Sequence, residues 1–383
     1  MLQNNSSQLS LTRHSQALKD KIIEKIKQQN SISFAEYMNM CLYEPGLGYY
    51  SSGTHKFGKE GDFITSPELG DLFAKSLAVQ FRQIIESLIS PVIMELGAGT
   101  GQFCFDCLTE LDNLNSLPEK YYILEVSADL QHRQKQKIKS LPKHLSQLVC
   151  WISEPLKDDF EGVIFANEVI DALPVEVFKY SNNQYQQMRV DYKDDFKTLW
   201  SEFPQNLYEQ LHAKELDLPE SYVSEFIPNL SSWLNTISQN LKKGVVLFVD
   251  YGYERDAYYH LQRNNGTLVC HHRHKANFNY FENIGLQDIT AFVDFTAVAE
   301  AADDCGLDVD GYTTQAYFLM SLGIQNLLGD SNDNYSKYYE KTTELKKLTL
   351  PSEMGEKFKV IGLSRNFSQE LNGFAMMNLL HLL

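Results

Sequence analysis

The run PVIMELGAGTG, residues 91–101, places one carboxylate, Glu95, just ahead of three glycines, Gly97, Gly99 and Gly101. A strand that ends in a glycine turn brings backbone close to a ligand, because no Cβ stands in the way. Ala98 lies inside that turn, and a helix opening after Gly101 presents free N–H groups. A dinucleotide site wants G-x-G-x-x-G with pyrophosphate at the helix start. Here the spacing is one residue tighter, and an acid precedes the first glycine by two. That acid opposes a pyrophosphate but suits an ammonium group. The charge therefore selects S-adenosylmethionine, with S-adenosylhomocysteine as the spent product.

Glu125 closes the next strand, 24 residues past Gly101. A carboxylate there can accept both ribose hydroxyls, as open α/β sheets do at their switch point; the bland alternative is a solvated strand end. Trp151, ending a third strand, either stacks on adenine or fills core. The segment 61–68 (GDFITSPE) suits a loop folding over the cofactor, with Asp62, Thr65 and Ser66 as hydrogen-bonding groups. The plain reading there is an N-cap, with Ser66 meeting free amides and Glu68 favouring the helix start.

The fourth strand runs into Asn167-Glu168-Val169-Ile170-Asp171. Methyl transfer is an in-line displacement at a sulfonium that is already activated, so the protein must orient the nucleophile and exclude water. A cationic nitrogen also needs carboxylates to hold it. Glu168 and Asp171 are three apart, and one helical turn would put them on one side. The expectation is that Glu168 grips the nitrogen, Asp171 assists, and Asn167 touches cofactor or substrate. The alternative is that both acids merely cap a turn. The N-P-P-[Y/F] signature of many amide and base N-methyltransferases is absent from the sequence. Asp250 and Tyr251, ending the fifth strand, could line the substrate channel, and His274 is a weaker candidate. No metal is expected: Cys104 and Cys107 share one helix face without a second cysteine pair, and the adjacent His271 and His272 alternate faces on an extended segment.

The elements that would position these residues alternate strand and helix through residues 91–166, which implies a parallel sheet. The sequence reads as polar and frayed over 1–14, helical over 15–29 with Leu18, Ile22, Ile23 and Ile26 on one face, and helical again after Ser33, an N-cap with Glu36 three residues on. One helix is expected from Pro67 to about residue 87. A hairpin turns at Asn182-Asn183, the stretch to about 226 has no clear period and reads as an insertion, and Gly244 reads as a helix stop. The His/Asn-rich segment 264–280 reads as a polar loop. The fold class is α/β: a Rossmann-like class I methyltransferase sheet with a smaller domain made from insertions and terminal helices. The expected segments are 1–70, 71–185, 186–240, 241–312 and 313–383.

Acids outnumber Lys and Arg by 50 to 34, a net charge of −16, which disfavours nucleic acid and anionic membranes and favours cationic partners such as a protein with a basic segment; the bland alternative is that the acidity only keeps the protein soluble. Six scattered cysteines and the lack of a 20-residue apolar run or signal core point to a reduced, cytoplasmic setting without membrane insertion. The oligomeric state is left open, a dimer included.

The chain also resembles the MidA family of methyltransferases, which includes a mitochondrial complex I assembly factor that methylates an arginine side chain. The resemblance is carried by ISFAEYMNMCLYEPGLGYY (32–50), GDFITSPE, ELGAGTG, ANEVIDALPVEVF (166–178), VDYGY (249–253), GTL (266–268), DITAFVDF (288–295), TQAYFL (314–319) and GEKFKVI (355–361). It implies a Rossmann-like domain with a smaller companion, a methyl donor and, for the mitochondrial member, a protein arginine substrate; the expected function is an N-methyltransferase acting on a protein arginine, with a small-molecule methyltransferase or a cofactor-binding assembly protein without turnover as the alternatives. One departure stands out: where many relatives carry Tyr-Arg-Gly before a histidine, this chain has His271-His272-Arg273 before His274.

Overall fold

The computed structural model describes residues 2–52, 65–329 and 335–383. The chain divides into two compact units, one of residues 64–169, 230–254 and 295–383, the other of residues 1–63, 170–229 and 255–294.

The first unit is built on a sheet whose strands are β1 (Pro91–Leu96), β2 (Lys120–Leu124), β3 (Val149–Ile152), β4 (Phe160–Asn167), β5 (Leu241–Tyr253), β6 (Asp308–Thr314) and β7 (Phe358–Arg365). They lie in the order β3-β2-β1-β4-β5-β7-β6. Strands β1 to β5 run parallel. The last strand enters antiparallel between β5 and β6. The chain therefore winds outward from β1 through β3 and restarts at β4 on β1's other side. That reversal makes a switch point between the carboxyl ends of β1 and β4, where open sheets bind ligands.

Residues that alternate along the strands share one core. Ile93, Tyr121, Ile123, Val163, Phe165, Val245, Leu247 and Val249 pack with helices α1 (Leu72–Ile85) and α2 (Gln102–Asn113) through Phe73, Phe81, Phe103, Cys104 and Cys107. Phe103 stacks on Phe165 at 4.3 Å between centroids. Burying large aromatic pairs of this kind contributes several kcal/mol to the unit.

The single helix expected from Pro67 is two, Ser66–Leu69 and α1. Between them Gly70 is extended, and a Cβ on it would stand 2.1 Å from Glu344 Oε2. Glu344 belongs to the helix Tyr335–Thr349 and accepts the Leu72 N–H at 2.7 Å, where Asp71 makes no side-chain cap. Glu344 is 6% exposed. Burial pushes it from 4.5 up to about 7, against the pull of the Leu72 amide. A carboxyl whose folded value is raised binds its proton more tightly in the native state, so this contribution is full at low pH and fades as pH rises from 4.5 through about 7. Glu344→Gln keeps an acceptor for Leu72 and removes the titration. Thermal melts of the variant should lose a pH dependence of up to ~3 kcal/mol over that window; parallel pH profiles for variant and parent would contradict this.

The second unit is mostly antiparallel. A five-stranded sheet joins Ile32–Ser33, Gln184–Tyr192, Glu176–Ser181 and Tyr222–Phe226, with Phe196–Glu202 on Gln184–Tyr192. Leu18, Ile22 and Ile26 of the helix Leu2–Gln29 and Tyr37, Met38 and Cys41 of the helix Phe34–Tyr43 cover one core with Val177 and Val190. The helix thus begins at Leu2 and takes in the stretch expected to be frayed. Ser33 caps the second helix by accepting the Glu36 N–H at 3.2 Å. Asn182 and Asn183 both adopt positive φ, 52° and 57°, the conformation a two-residue hairpin demands.

Three other expectations change. The stretch read as an aperiodic insertion holds the strands Phe196–Glu202 and Tyr222–Phe226 and the helix Gln205–His212 between them. Gly244 is no stop but lies within β5, opposite Gly162 of β4. The segment read as a polar loop contains the paired strands Val269–His272 and Lys275–Asn277, joined by Arg273 and His274 at φ 51° and 60°.

Candidate active site

The glycine loop leaves β1 at the switch point. Gly97 and Gly99 have φ of 63° and 52°, a region costly for residues with a Cβ. A Cβ on Gly99 would meet nothing within 4 Å, whereas one on Gly97 would touch Val169 Cγ2 at 3.0 Å. Gly99 thus borders open space, a cradle that a side chain would fill. The Gly101 N–H closes the turn on the Ala98 carbonyl at 2.7 Å. Thr100 donates to Glu68, which ties the loop to the helix Ser66–Leu69.

Glu95 is 3% exposed, and its Oε2 accepts the Tyr121 hydroxyl at 2.8 Å. Burial pushes its carboxyl up to about 8; the Tyr121 hydrogen bond pulls it back, and Glu125 adds to the rise. Glu125, buried beside the end of β2, accepts the Ser127 N–H at 2.8 Å on Oε1.

One residue here escaped the sequence reading. Gln134, on α3 (Ala128–Ile138), is fully buried. Its Nε2 donates to the Gly99 carbonyl at 3.0 Å and to Glu125 Oε2 at 3.2 Å. Its Oε1 accepts the Trp151 indole N–H at 3.0 Å. A single amide therefore couples the glycine loop, the second carboxylate and the tryptophan. Trp151 is partly buried against the core, with Lys135 Nζ 5.2 Å from its ring centroid. The signal was available: Leu130, Gln134 and Ile138, spaced by four, are the buried stripe of α3. A glutamine in an apolar stripe must find partners inside. Val126 was also missed. It follows Glu125 on the ligand edge and is 69% exposed, an apolar side chain with little protein cover.

At the end of β4, Asn167 lies beside Val249 of β5 in register and one position past Ala166, the partner of Leu96. It continues the Val163, Phe165 alternation and so shares the face of Ile93 and Glu95. Its Nδ2 donates to Glu168 Oε1 at 3.0 Å, while its buried Oδ1 has no hydrogen-bond partner among the described residues. Glu168 holds φ 54°, a left-handed conformation costing about 1–3 kcal/mol that tends to mark functional sites. Two hydrogen bonds hold this backbone: the Glu168 N–H donates to the Val249 carbonyl at 2.9 Å and the Val169 N–H to the Asp250 side chain, at Oδ2, at 3.2 Å. Asp250 is 1% exposed and also accepts the Tyr251 N–H at 2.9 Å. Tyr251 packs its ring on Phe358, 5.6 Å away.

The helical turn expected to set Asp171 beside Glu168 does not form. Residues 168–173 make a bend and a turn, and Glu168 and Asp171 belong to different units. Ser66 is fully buried and donates to Gln315 at 3.4 Å, and Thr65 takes the N-cap position without a side-chain bond. His274 lies at an exposed hairpin turn in the second unit. Asp62 lies outside the described residues. Among those residues no cluster of His, Cys, Asp and Glu could hold a metal ion, and no helix is long and apolar enough to cross a membrane.

The sheet order, the glycine cradle and the orphaned acceptor at the switch point define a Rossmann-like nucleoside site of the class I methyltransferase kind. The profile of the S-adenosyl-L-methionine-dependent methyltransferase family Methyltransf_28 matches residues 72–313, and the chain belongs to that family. A COG1565 superfamily protein from Burkholderia thailandensis, crystallised with S-adenosyl-homocysteine bound, is 36% identical, with a TM-score of 0.93 and 98% of each chain covered. The chain is 29% identical to the Caenorhabditis elegans "Protein arginine methyltransferase NDUFAF7 homolog, mitochondrial" over 90% of its length and 86% of that protein's. It is 27% identical to the human protein arginine methyltransferase NDUFAF7, covering 89% and 82%. The cofactor is S-adenosyl-L-methionine, and the chain is a methyltransferase. The Caenorhabditis elegans and human relatives are named as mitochondrial proteins, which overturns the cytoplasmic expectation; scattered cysteines and a missing signal core do not identify a compartment.

Proposed function

We propose that this methyltransferase acts on the side-chain nitrogen of a protein arginine. The observation that carries the reading is the carboxylate of Glu168, held in a strained backbone conformation at the switch point, in a chain whose relatives are named as arginine methyltransferases. The bound donor supplies an electrophilic methyl group on a cationic sulfur. Gly97, Ala98, Gly99 and Gly101 shape the backbone against it, and Glu125 takes the ribose hydroxyls. Val126 gives the exposed apolar surface for the base, and Gln134 keeps Glu125 and the loop in register.

Glu168 holds the guanidinium by charge-assisted hydrogen bonds and turns one nitrogen lone pair toward the methyl carbon. As the N–C bond forms and the C–S bond breaks, the nitrogen sheds a proton, and the Glu168 carboxylate is placed to accept it. Asp250 acts through the backbone, by holding Val169 and so the turn that carries Glu168. The net charge of −16 suits a basic protein segment as substrate. Radiolabelled methyl donor and purified enzyme, added to an extract from cells lacking this gene, test the reading. Label recovered as methylarginine in protein is expected; label confined to small molecules, or none transferred, would overturn it.

A further inference from the structure

The amino ends of β1, β2, β4 and β5 surround a cleft of about 490 Å3, on the edge of the sheet opposite the glycine loop. Open α/β sheets bind their ligands at the carboxyl edge, so the methyl transfer makes no use of this space. Tyr122, Leu156 and Phe160 give the cleft aromatic and apolar walls. One wall is fixed by backbone: Asn240 Nδ2 donates to the Leu156 carbonyl at 2.8 Å, and the Phe160 N–H donates to the Asn240 carbonyl at 3.0 Å. The carboxylates of Glu119, Asp158, Asp159 and Glu161 line it too, against the ammonium groups of Lys157 and Lys242. Both lysines are already taken, Lys242 by Asp159 at 3.1 Å and Lys157 by Glu154 at 2.6 Å. Glu119, Asp158 and Glu161 have no ion-pair partner among the described residues. Glu161 accepts the N–H of Ile89, whose own side chain stands 91% exposed. Space, flat rings and uncompensated negative charge thus coincide at one place.

We propose that this cleft docks an arginine-bearing stretch of the protein substrate, at a point separate from the residue that receives the methyl group. A guanidinium suits it better than an ammonium, because the planar, weakly hydrated group lies flat on Tyr122 or Phe160 while its fork of donors reaches carboxylates. The walls also suit an apolar neighbour of that arginine. Strand β1 has six residues, so the two edges of the sheet are about 17 Å apart. An extended chain advances about 3.3–3.6 Å per residue, which places the docked arginine at least about five residues from the methylated one. The inference rests on the proposed arginine reading and adds to it a determinant of which proteins are recognised. Charges of this kind act on encounter and affinity, so the cleft governs KM for the protein and leaves kcat alone.

Charge reversal tests it. Glu119 and Asp158 are exposed, so the double variant Glu119→Lys/Asp158→Lys should fold and bind S-adenosylhomocysteine as the parent does. Its affinity for fluorescein-labelled hexa-arginine, read by anisotropy, should fall roughly tenfold or more. A control with the same change in net charge, Glu353→Lys/Glu370→Lys, alters exposed residues outside the cleft and should lose less than about threefold, because distant charges are screened. With extract from cells lacking this gene as methyl acceptor, the cleft variant should need roughly tenfold more extract for half-maximal labelling and reach the parental maximum. Equal losses of hexa-arginine affinity in the two double variants would overturn the assignment. So would a cleft variant whose labelling follows the parental extract dependence, and that result would leave the arginine reading intact. A cleft variant that dissociates a parental dimer in sedimentation while binding hexa-arginine normally would give the cleft to a second copy of the chain. A parent protein that binds hexa-arginine through the cleft yet leaves no methylarginine in protein would instead sink the substrate reading and leave the docking site standing.

Discussion

Replacing Glu168 by Gln should abolish methyl transfer while S-adenosylhomocysteine binds nearly as in the parent. The substitution keeps side-chain shape and an oxygen that can still accept from Asn167 Nδ2 at the observed 3.0 Å. It removes the charge that holds a guanidinium and the group placed to take its proton. Losses from removing a positioned acid or base run to about 10²–10⁴-fold, and the lost electrostatic grip adds to that. Folding should be little affected, since the φ of 54° at this position is set by the bonds to Val249 and Asp250, which the substitution leaves intact. Single-turnover rates with a methyl-accepting protein, set beside calorimetry, separate the two effects. Turnover near the parental rate would remove Glu168 from the chemistry.

The second large effect is at Gly99. Valine there must adopt φ 52° and project its side chain into the space that glycine leaves open. The backbone penalty is about 1–2 kcal/mol, larger for a β-branched residue, and should lower the melting temperature by only a few degrees in a chain of this size. The effect on the ligand should be far greater, because the side chain would occupy the volume meant for the cofactor. Gly99→Val should melt cooperatively and show no calorimetric response to S-adenosylhomocysteine. Parental affinity in a folded Gly99→Val protein would mean that the loop is not the cradle.

Where residues announced their surroundings, the sequence was informative. The apolar run before Glu95, the spacing of Gly97, Gly99 and Gly101, and Glu125 at the next strand end all lie on one sheet edge, because a parallel sheet brings successive strand ends together. Ser33 and Glu36 announced a cap, and Asn182-Asn183 a hairpin. What stayed hidden depends on partners far along the chain. Gln134 reads as one more polar residue on a polar helix until Gly99, Glu125 and Trp151 converge on it. The break at Gly70 packs against Glu344, 274 residues later in the chain. The strand Tyr222–Phe226 lacks apolar alternation, since Ser224 and Glu225 are buried in it and Glu225 accepts the Thr267 N–H at 2.7 Å. The helical turn expected from Glu168 to Asp171 is absent for a local reason: positive φ at Glu168 starts a bend and a turn instead.

Isothermal titration of the unmodified protein with S-adenosylhomocysteine bears most directly on the account. Saturable one-to-one binding in the micromolar range or tighter, abolished in Gly99→Val, is the expected result. A well-folded parent protein that takes up neither this ligand nor the methylated donor would contradict the central claim, that the carboxyl edge of β1, β2 and β4 is a sulfonium-nucleoside site.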